Sequence, residues 1–242
     1  MRNPIQNVLL LLFVISVAAA QSKNFWEKKD YRQWTDKECR KLLDESPWAN
    51  QYTLSQVFID PLQTDSTARE RQSNPRIEYK VQIRSATPVR QALVRLSQIN
   101  AKYDAMTAEG RLAFDQSTER FLSARTDQLI VMHVSYTASV QNDDRDLARH
   151  WHSQTTGTLK NFVFLIGSGG AKVPLSIYRP GESAAREFQF VFPREYNGRP
   201  VIGPGDKTLM LEFNHPNIRG TAARILVEFK VEKMMMQGSP VY

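Results

Sequence analysis

Four histidines, one cysteine and a few glycine-rich and acidic runs are the residues in this 242-residue chain whose types could do chemistry. His150-Trp151-His152 comes first. On a helix, positions i and i+2 point about 200° apart, so two rings at that spacing cannot chelate one ion. On a strand they could. Leu147 and Trp151 fit a helical stripe better, so a helix is expected and a metal pair is not. No His-x-x-x-His or Cys-x-x-Cys spacing occurs, which argues against an ordinary zinc site. His133 sits in a strand pattern with Val131, Ser135 and Thr137 on one face. His215 precedes Pro216 in an expected turn. Both read as structural or surface residues.

Gly167-Ser168-Gly169-Gly170 lacks the G-x-S-x-G spacing of a nucleophile elbow and the Lys-Ser/Thr of a phosphate loop, and a strand follows it. A hairpin turn is the expectation. Asn142-Asp143-Asp144-Arg145-Asp146 lacks the alternating acids and central Gly of a calcium loop. Its acids complement the dipole of a starting helix instead. Two carboxylates for sugar hydrolysis need not be close in sequence, and no particular pair stands out. Trp48, Trp151 and the Phe-rich strand could stack on sugars, but burial accounts for them more simply. Cys39 could be a reactive thiol or an intermolecular disulfide partner. Its place beside Leu42 and Leu43 on an apolar stripe favours a buried, inert one. No catalytic, cofactor-binding or metal residue is assigned, and no cofactor is expected.

The elements that would position these residues follow from periodicity. Residues 21–32 read as a polar arm carrying Phe25, Trp26 and Tyr31. Thr35 and Glu38 have capping-box spacing, with Trp34 and Cys39 placed as a hydrophobic staple. The helix they open ends at Ser46-Pro47. Tyr52 to Asp60 reads as a strand and Pro61 to Pro75 as a polar loop. Ile77, Tyr79, Val81 and Ile83 alternate with Glu78, Lys80, Gln82 and Arg84, a half-buried strand. Thr87-Pro88 is expected to start a helix carrying Val89, Leu93, Leu96, Ile99, Tyr103 and Met106. A second helix carries Leu112, Phe114, Phe121 and Leu122. Leu129 to Ala138 returns to strand. Asn142 opens a short helix through Leu147 and Trp151.

From there the pattern is nearly all strand. Leu159 to Ile166, then Val173/Leu175/Ile177, Phe188/Phe190/Phe192, Leu209/Leu211/Phe213 and Ile225/Val227/Phe229/Val231 are separated by Arg179-Pro180-Gly181, Asn197-Gly198, Gly203-Pro204-Gly205 and a turn from Asn214 to Gly220. The expected fold is mainly β: an antiparallel β-sandwich, Ig-like or similar, with two inserted helices and an N-terminal helix. Leu93, Leu96, Phe114 and Phe121 should touch each other or one face of the sheet.

Arg2 is the only charge before an apolar run from Val8 to Ala20, which ends in the A-x-A pattern Ala18-Ala19-Ala20. This is the layout of a cleavable secretory signal peptide over 1–20, with cleavage before Gln21. An uncleaved anchor would need about 20 apolar residues, more than the run supplies, and no later stretch is long enough to span a bilayer. The protein is therefore expected to be exported, to the periplasm or the extracellular space, with no transmembrane segment after cleavage. The mature chain, 21–242, reads as one domain: arm and helix over 21–50, first strands over 51–85, helical insertion over 86–126, β-rich core over 127–234 and tail over 235–242. Lys and Arg number 32 against 25 Asp and Glu, a net charge of +7. Export removes nucleic acid as the partner of that charge, leaving an anionic envelope component or another envelope protein. The outer face of the inserted helices carries Arg90, Arg95, Lys102, Arg111 and Arg120, the candidate binding residues for an anionic polymer. A lone cysteine excludes an internal disulfide.

Trp34-Thr35-Asp36-Lys37-Glu38-Cys39-Arg40, then Leu42-Leu43 and Ser46-Pro47-Trp48, form the pattern W-x4-C-x2-L-L-x2-S-P-W. The segment resembles the start of a group of uncharacterised exported bacterial proteins. The similarity continues through Arg84-Ser85-Ala86, Pro88-Val89-Arg90-Gln91-Ala92 and Val227-Glu228-Phe229-Lys230-Val231. It implies an exported bacterial protein and implies nothing about activity, ligand or site residues.

Two functions from different classes fit these observations. The first is a non-catalytic exported module of the cell envelope, a β-sandwich with a binding or structural role. The second is an extracytoplasmic hydrolase, acting for example on carbohydrate, with dispersed acidic residues. A deep cleft with two facing carboxylates would favour the hydrolase.

Overall fold

The computed structural model describes residues 24–55, 75–123, 128–182, 185–203, 205–218 and 220–242. The expected leader and its cleavage site before Gln21, the end of the strand expected over 52–60 and most of the loop over 61–75 lie outside them. Strand and helix make up about 37% and 36% of the described residues. The equal shares make the fold mixed α/β with antiparallel sheets, where the sequence pattern predicts mainly β.

The arm forms a single helical turn, α1 (Phe25–Lys28). α2 (Asp36–Glu45) begins at the expected capping box: Glu38 N donates to Thr35 Oγ1 at 3.2 Å, and Thr35 N donates to Glu38 Oε2 at 2.9 Å. Two orphan N–H groups of the first turn are thereby satisfied. Trp34, Cys39, Leu42 and Leu43 are all buried.

Two antiparallel sheets follow. The larger runs β1 (Ala49–Ser55), β2 (Arg76–Ile83), β3 (Leu129–Ala138), β7 (Glu187–Pro193), β6 (Ile177–Pro180) across its width. The smaller runs β11 (Thr221–Lys230), β10 (Thr208–Ile218), β4 (Phe164–Gly167), β5 (Lys172–Pro174). Pro174 and Pro180 close the two short edge strands, where a missing N–H blunts further pairing. Two small hairpins complete the strands: β8 (Glu195–Tyr196) with β9 (Arg199–Pro200), and β12 (Met235–Met236) with β13 (Ser239–Pro240).

The alternating apolar residues of both sheets share one core. Tyr79 of β2 and Phe190 of β7 lie 5.3 and 5.6 Å from Phe213 of β10, ring to ring. Trp151 enters between them from α5 (Gln141–Ser153) and stacks on Phe188 at 4.3 Å. Each such pair contributes roughly 0.5–1.5 kcal/mol beyond the area it buries.

α3 (Thr87–Asn100) and α4 (Ala108–Leu122) lie between β2 and β3, which pair directly, so the two helices form an insertion. α3 joins the core through Val89 and Ala92, with Leu93 and Leu96 packed at its margin. α4 buries none of its residues. Phe114 meets the Tyr103 ring at 5.5 Å, but Phe121 is 42% exposed. Of the two expected arrangements, packing of this second helix on the sheet is not found: α3 takes the place against the core, and α4 lies outside it.

Three local expectations are also corrected. Leu159 does not begin a strand. Thr155 and Thr158 cap each other's backbone and open a turn of helix, α6 (Thr156–Leu159), so the strand is confined to β4. Asn142 does not cap α5, which starts one residue earlier with Asp143 and Asp144 in its first turn. Asn214 to Ile218, expected as part of a turn, is strand. β10 runs on to Ile218 and accommodates Pro216 at a register shift between His215 and Ile218, as a residue without an N–H requires. Among the described residues no helix is long and apolar enough to cross a membrane.

Candidate functional site

The five candidate cations do not share a surface. Arg90 is 7% exposed and donates from Nη1 to the carbonyls of Phe121 and Leu122, at 3.2 and 2.8 Å, holding the end of α4 to α3. This corrects its expected place on the outer face: the side chain is turned inward to orphan carbonyls at a helix C-terminus. Arg95 is half-buried and donates to the Trp34 carbonyl at 3.0 Å and to Gln98. Lys102, Arg111 and Arg120 are exposed. Arg111 and Arg120 are nine positions apart on one helix, which turns them to opposite sides. Arg120 also shares a shallow depression with Asp115 and Glu119.

The histidines are dispersed. His152 is exposed on α5, and His150 is half-buried against Trp151, 4.9 Å ring to ring. His215, expected in a turn with a structural or surface role, is 2% exposed in β10, with Nδ1 2.7 Å from the Tyr79 hydroxyl. Its Nε2 has no hydrogen-bond partner among the described residues. Burial, with His150 nearby, lowers its pKa to about 4. His133 is 4% exposed on β3, and burial followed by Arg84 and Lys80 lowers its pKa to about 3. Glu187 lies 3.4 Å from His133 Nε2, but that carboxylate is half in water and too weakly coupled to offset the burial. Among the described residues no three His, Cys, Asp or Glu are placed to hold a metal ion.

A feature with the dimensions of a ligand site lies elsewhere. A cleft of about 800 Å³ opens between the β4–β5 turn and the β8–β9 hairpin. The hairpin is built by Asn197-Gly198, both with positive φ (52° and 73°), the backbone of a tight two-residue turn. It makes Tyr196 and Arg199 a cross-strand pair, and both line the cleft. Its base is held where Val201 N donates to the Arg194 carbonyl at 2.8 Å, and Arg194 N to the Gln128 carbonyl at 2.9 Å. The opposite wall is the Gly167–Gly170 turn. Ser168 Oγ accepts from Lys207 N at 2.8 Å and Thr208 N at 3.0 Å, clamping that turn to the start of β10. A Cβ on Gly167 would come within 2.6 Å of the Val201 carbonyl, so glycine is what lets the two walls approach.

Lys172 is the second cation on the lining. It donates to Glu212 Oε1 at 2.8 Å and lies over the Phe164 ring. Arg199 has no ion partner among the described residues. Asp206 is the carboxylate among the described lining residues, and its Oδ2 already accepts from Gly203 N at 2.8 Å. Sequence reasoning missed Lys172, Tyr196 and Arg199. Asn197-Gly198 was visible as a turn, and it implies that its flanking residues pair, but the opposite wall comes from a distant part of the chain.

No protein-family model matches the sequence, and no curated protein matches it. One similar solved structure is the crystal structure of a novel protein of unknown function from Burkholderia pseudomallei. It has a TM-score of 0.40 and 13% identity, over 61% of this chain and 73% of that one.

Proposed function

We propose that this protein is a non-catalytic binding module of the cell envelope, exported to the periplasm or the extracellular space, with an anionic envelope component as its partner. The observation that carries the reading is the cleft, whose lining holds two cations, Lys172 and Arg199, against one carboxylate that is already hydrogen-bonded. A glycoside hydrolase needs two carboxyl groups about 5–9.5 Å apart across its substrate, and a second acid does not line this cleft among the described residues. The runner-up, an extracytoplasmic hydrolase, therefore has less support.

The mature chain, 21–242, is proposed to be one domain: an antiparallel, Ig-like β-sandwich with two inserted helices and an N-terminal helix. The ring contacts between the two sheets support that architecture. Export rests on the charge, apolar run and A-x-A pattern of residues 1–20.

Fractionation of the native host, with mass spectrometry of the protein, tests both parts. The expected result is a mature N-terminus at Gln21 outside the cytoplasm and salt-sensitive retention on isolated envelopes. Cytosolic protein with Met1 intact would remove the export reading. Retention that ignores a salt series would remove the anionic partner.

A further inference from the structure

We infer that the cleft between the β4–β5 turn and the β8–β9 hairpin takes an acidic saccharide, its ring against Tyr196 and its carboxylate or phosphate between Arg199 and Lys172. The inference rests on the binding-module reading and names its site and ligand class.

Four observations lead to this class. A volume of about 800 Å³ lies inside the range of small-ligand sites and holds two or three sugar units. Tyr196 keeps 36% of its surface exposed, although a ring of that size is usually covered. An uncovered aromatic beside polar groups is a stacking surface for a body with both apolar and polar faces. Arg199, its cross-strand neighbour, offers a planar fork of donors with no ion partner among the described residues, the group that matches a carboxylate or phosphate in two-point fashion. Lys172 adds a charge that Glu212 partly neutralises, so the lining takes the anionic group of one sugar unit at a time, with any others left in solvent, rather than a dense polyanion. The rest of the lining combines glycine backbone at Gly167 and Gly169 with the apolar side chains of Ala171, Val173 and Val201 and the hydrogen-bonded carboxylate of Asp206.

The site is also built before any ligand arrives. A two-residue turn fixes the Tyr196/Arg199 pair, and the Ser168 hydroxyl, accepting from Lys207 N and Thr208 N and donating to the Thr208 carbonyl, fixes the opposite wall. Such preorganisation lowers the ordering cost of binding.

The test uses the full mature chain purified after export, titrated with trigalacturonate while backbone amide shifts are followed by NMR. Maltotriose serves as the neutral saccharide and inorganic phosphate as the bare anion. The expected result is saturable trigalacturonate binding, with shifts concentrated in 167–173 and 196–206. Arg199→Gln should weaken it about tenfold, one lost charge-assisted contact. Tyr196→Ala should weaken it by a similar factor, and Arg149→Gln on the far helix α5 should leave it unchanged. Maltotriose should bind at least about tenfold more weakly. Shifts in the unaltered protein localise binding even if a variant fails to fold. Equal binding of maltotriose, full competition by phosphate at equal concentration, or shifts elsewhere would each overturn the inference. No trigalacturonate binding beside salt-sensitive envelope retention would sink this site and leave the binding-module reading standing.

Discussion

The Tyr79 hydroxyl lies 2.7 Å from His215 Nδ1, a hydrogen bond that joins β2 of one sheet to β10 of the other inside a wall of aromatic rings. Tyr79→Phe removes one partner and leaves the other buried. An unsatisfied buried group costs about 1–3 kcal/mol. Urea unfolding should show a lower midpoint with an unchanged slope. The double variant Tyr79→Phe/His215→Leu should cost less than the two single losses added, because no polar atom is then stranded. Strict additivity would show that the two groups do not act as a pair.

Stability should fall in mild acid. His215 and His133 have folded pKa values lowered to about 4 and about 3 from an ordinary 6.5, chiefly by burial. Above 6.5 both are neutral whether folded or not. Below it the unfolded chain takes up protons that the folded chain refuses, so stability drops from about pH 6.5 downward and this contribution levels off only below about pH 3. At about 1.4 kcal/mol per pKa unit, the loss is on the order of 8 kcal/mol across the whole window and about half of that by pH 5. Thermal melts between pH 7 and pH 5 read its onset. His215→Gln should flatten the dependence, and an equally steep variant would assign it to other groups.

Cys39 should resist a bulky thiol reagent in the folded protein and react at once in denaturant. It is 0% exposed, and burial pushes its thiol up to about 11, so thiolate is scarce at neutral pH. Fast native labelling, or a dimer on a non-reducing gel, would contradict this.

Arg90→Met should loosen α4 while sparing the sheets. The side chain caps the carbonyls of Phe121 and Leu122, and α4 buries nothing of its own. Charged hydrogen bonds of this kind are worth about 1.5–3 kcal/mol each, enough to loosen the end of a helix that buries none of its own residues. Amide exchange over 108–122 should rise strongly, with β2 and β3 unchanged. Uniform acceleration would mean that Arg90 supports the whole fold.

Elements whose sequence signal is local were legible. The Thr35/Glu38 box, the alternation from Ile77 to Ile83 and the strand Leu129–Ala138 all appear where the pattern places them. Failures arose where a distant contact overrode a local signal. Pro216 suggested a turn, but β11 and the core hold the chain in strand through it. Arg90 follows an apolar position on an amphipathic helix and looked solvated, but the carbonyls that draw it in come some thirty residues later. The cleft was least legible, since its walls belong to segments that sequence periodicity treats as unrelated turns.

Trp48 Nε1 donates to the Val241 carbonyl at 2.6 Å across 193 positions, and Arg194 donates to the Tyr242 carbonyl and lies over its ring at 4.2 Å. In time rather than space, a chain synthesised from its N-terminus carries an uncovered indole through all of the intervening synthesis. Trp26 packs on Trp48 from before it and Val241 closes on it from 193 positions after it, so this corner of the fold waits for a segment made much later. Such long-range closure slows folding and prolongs the exposure of apolar surface.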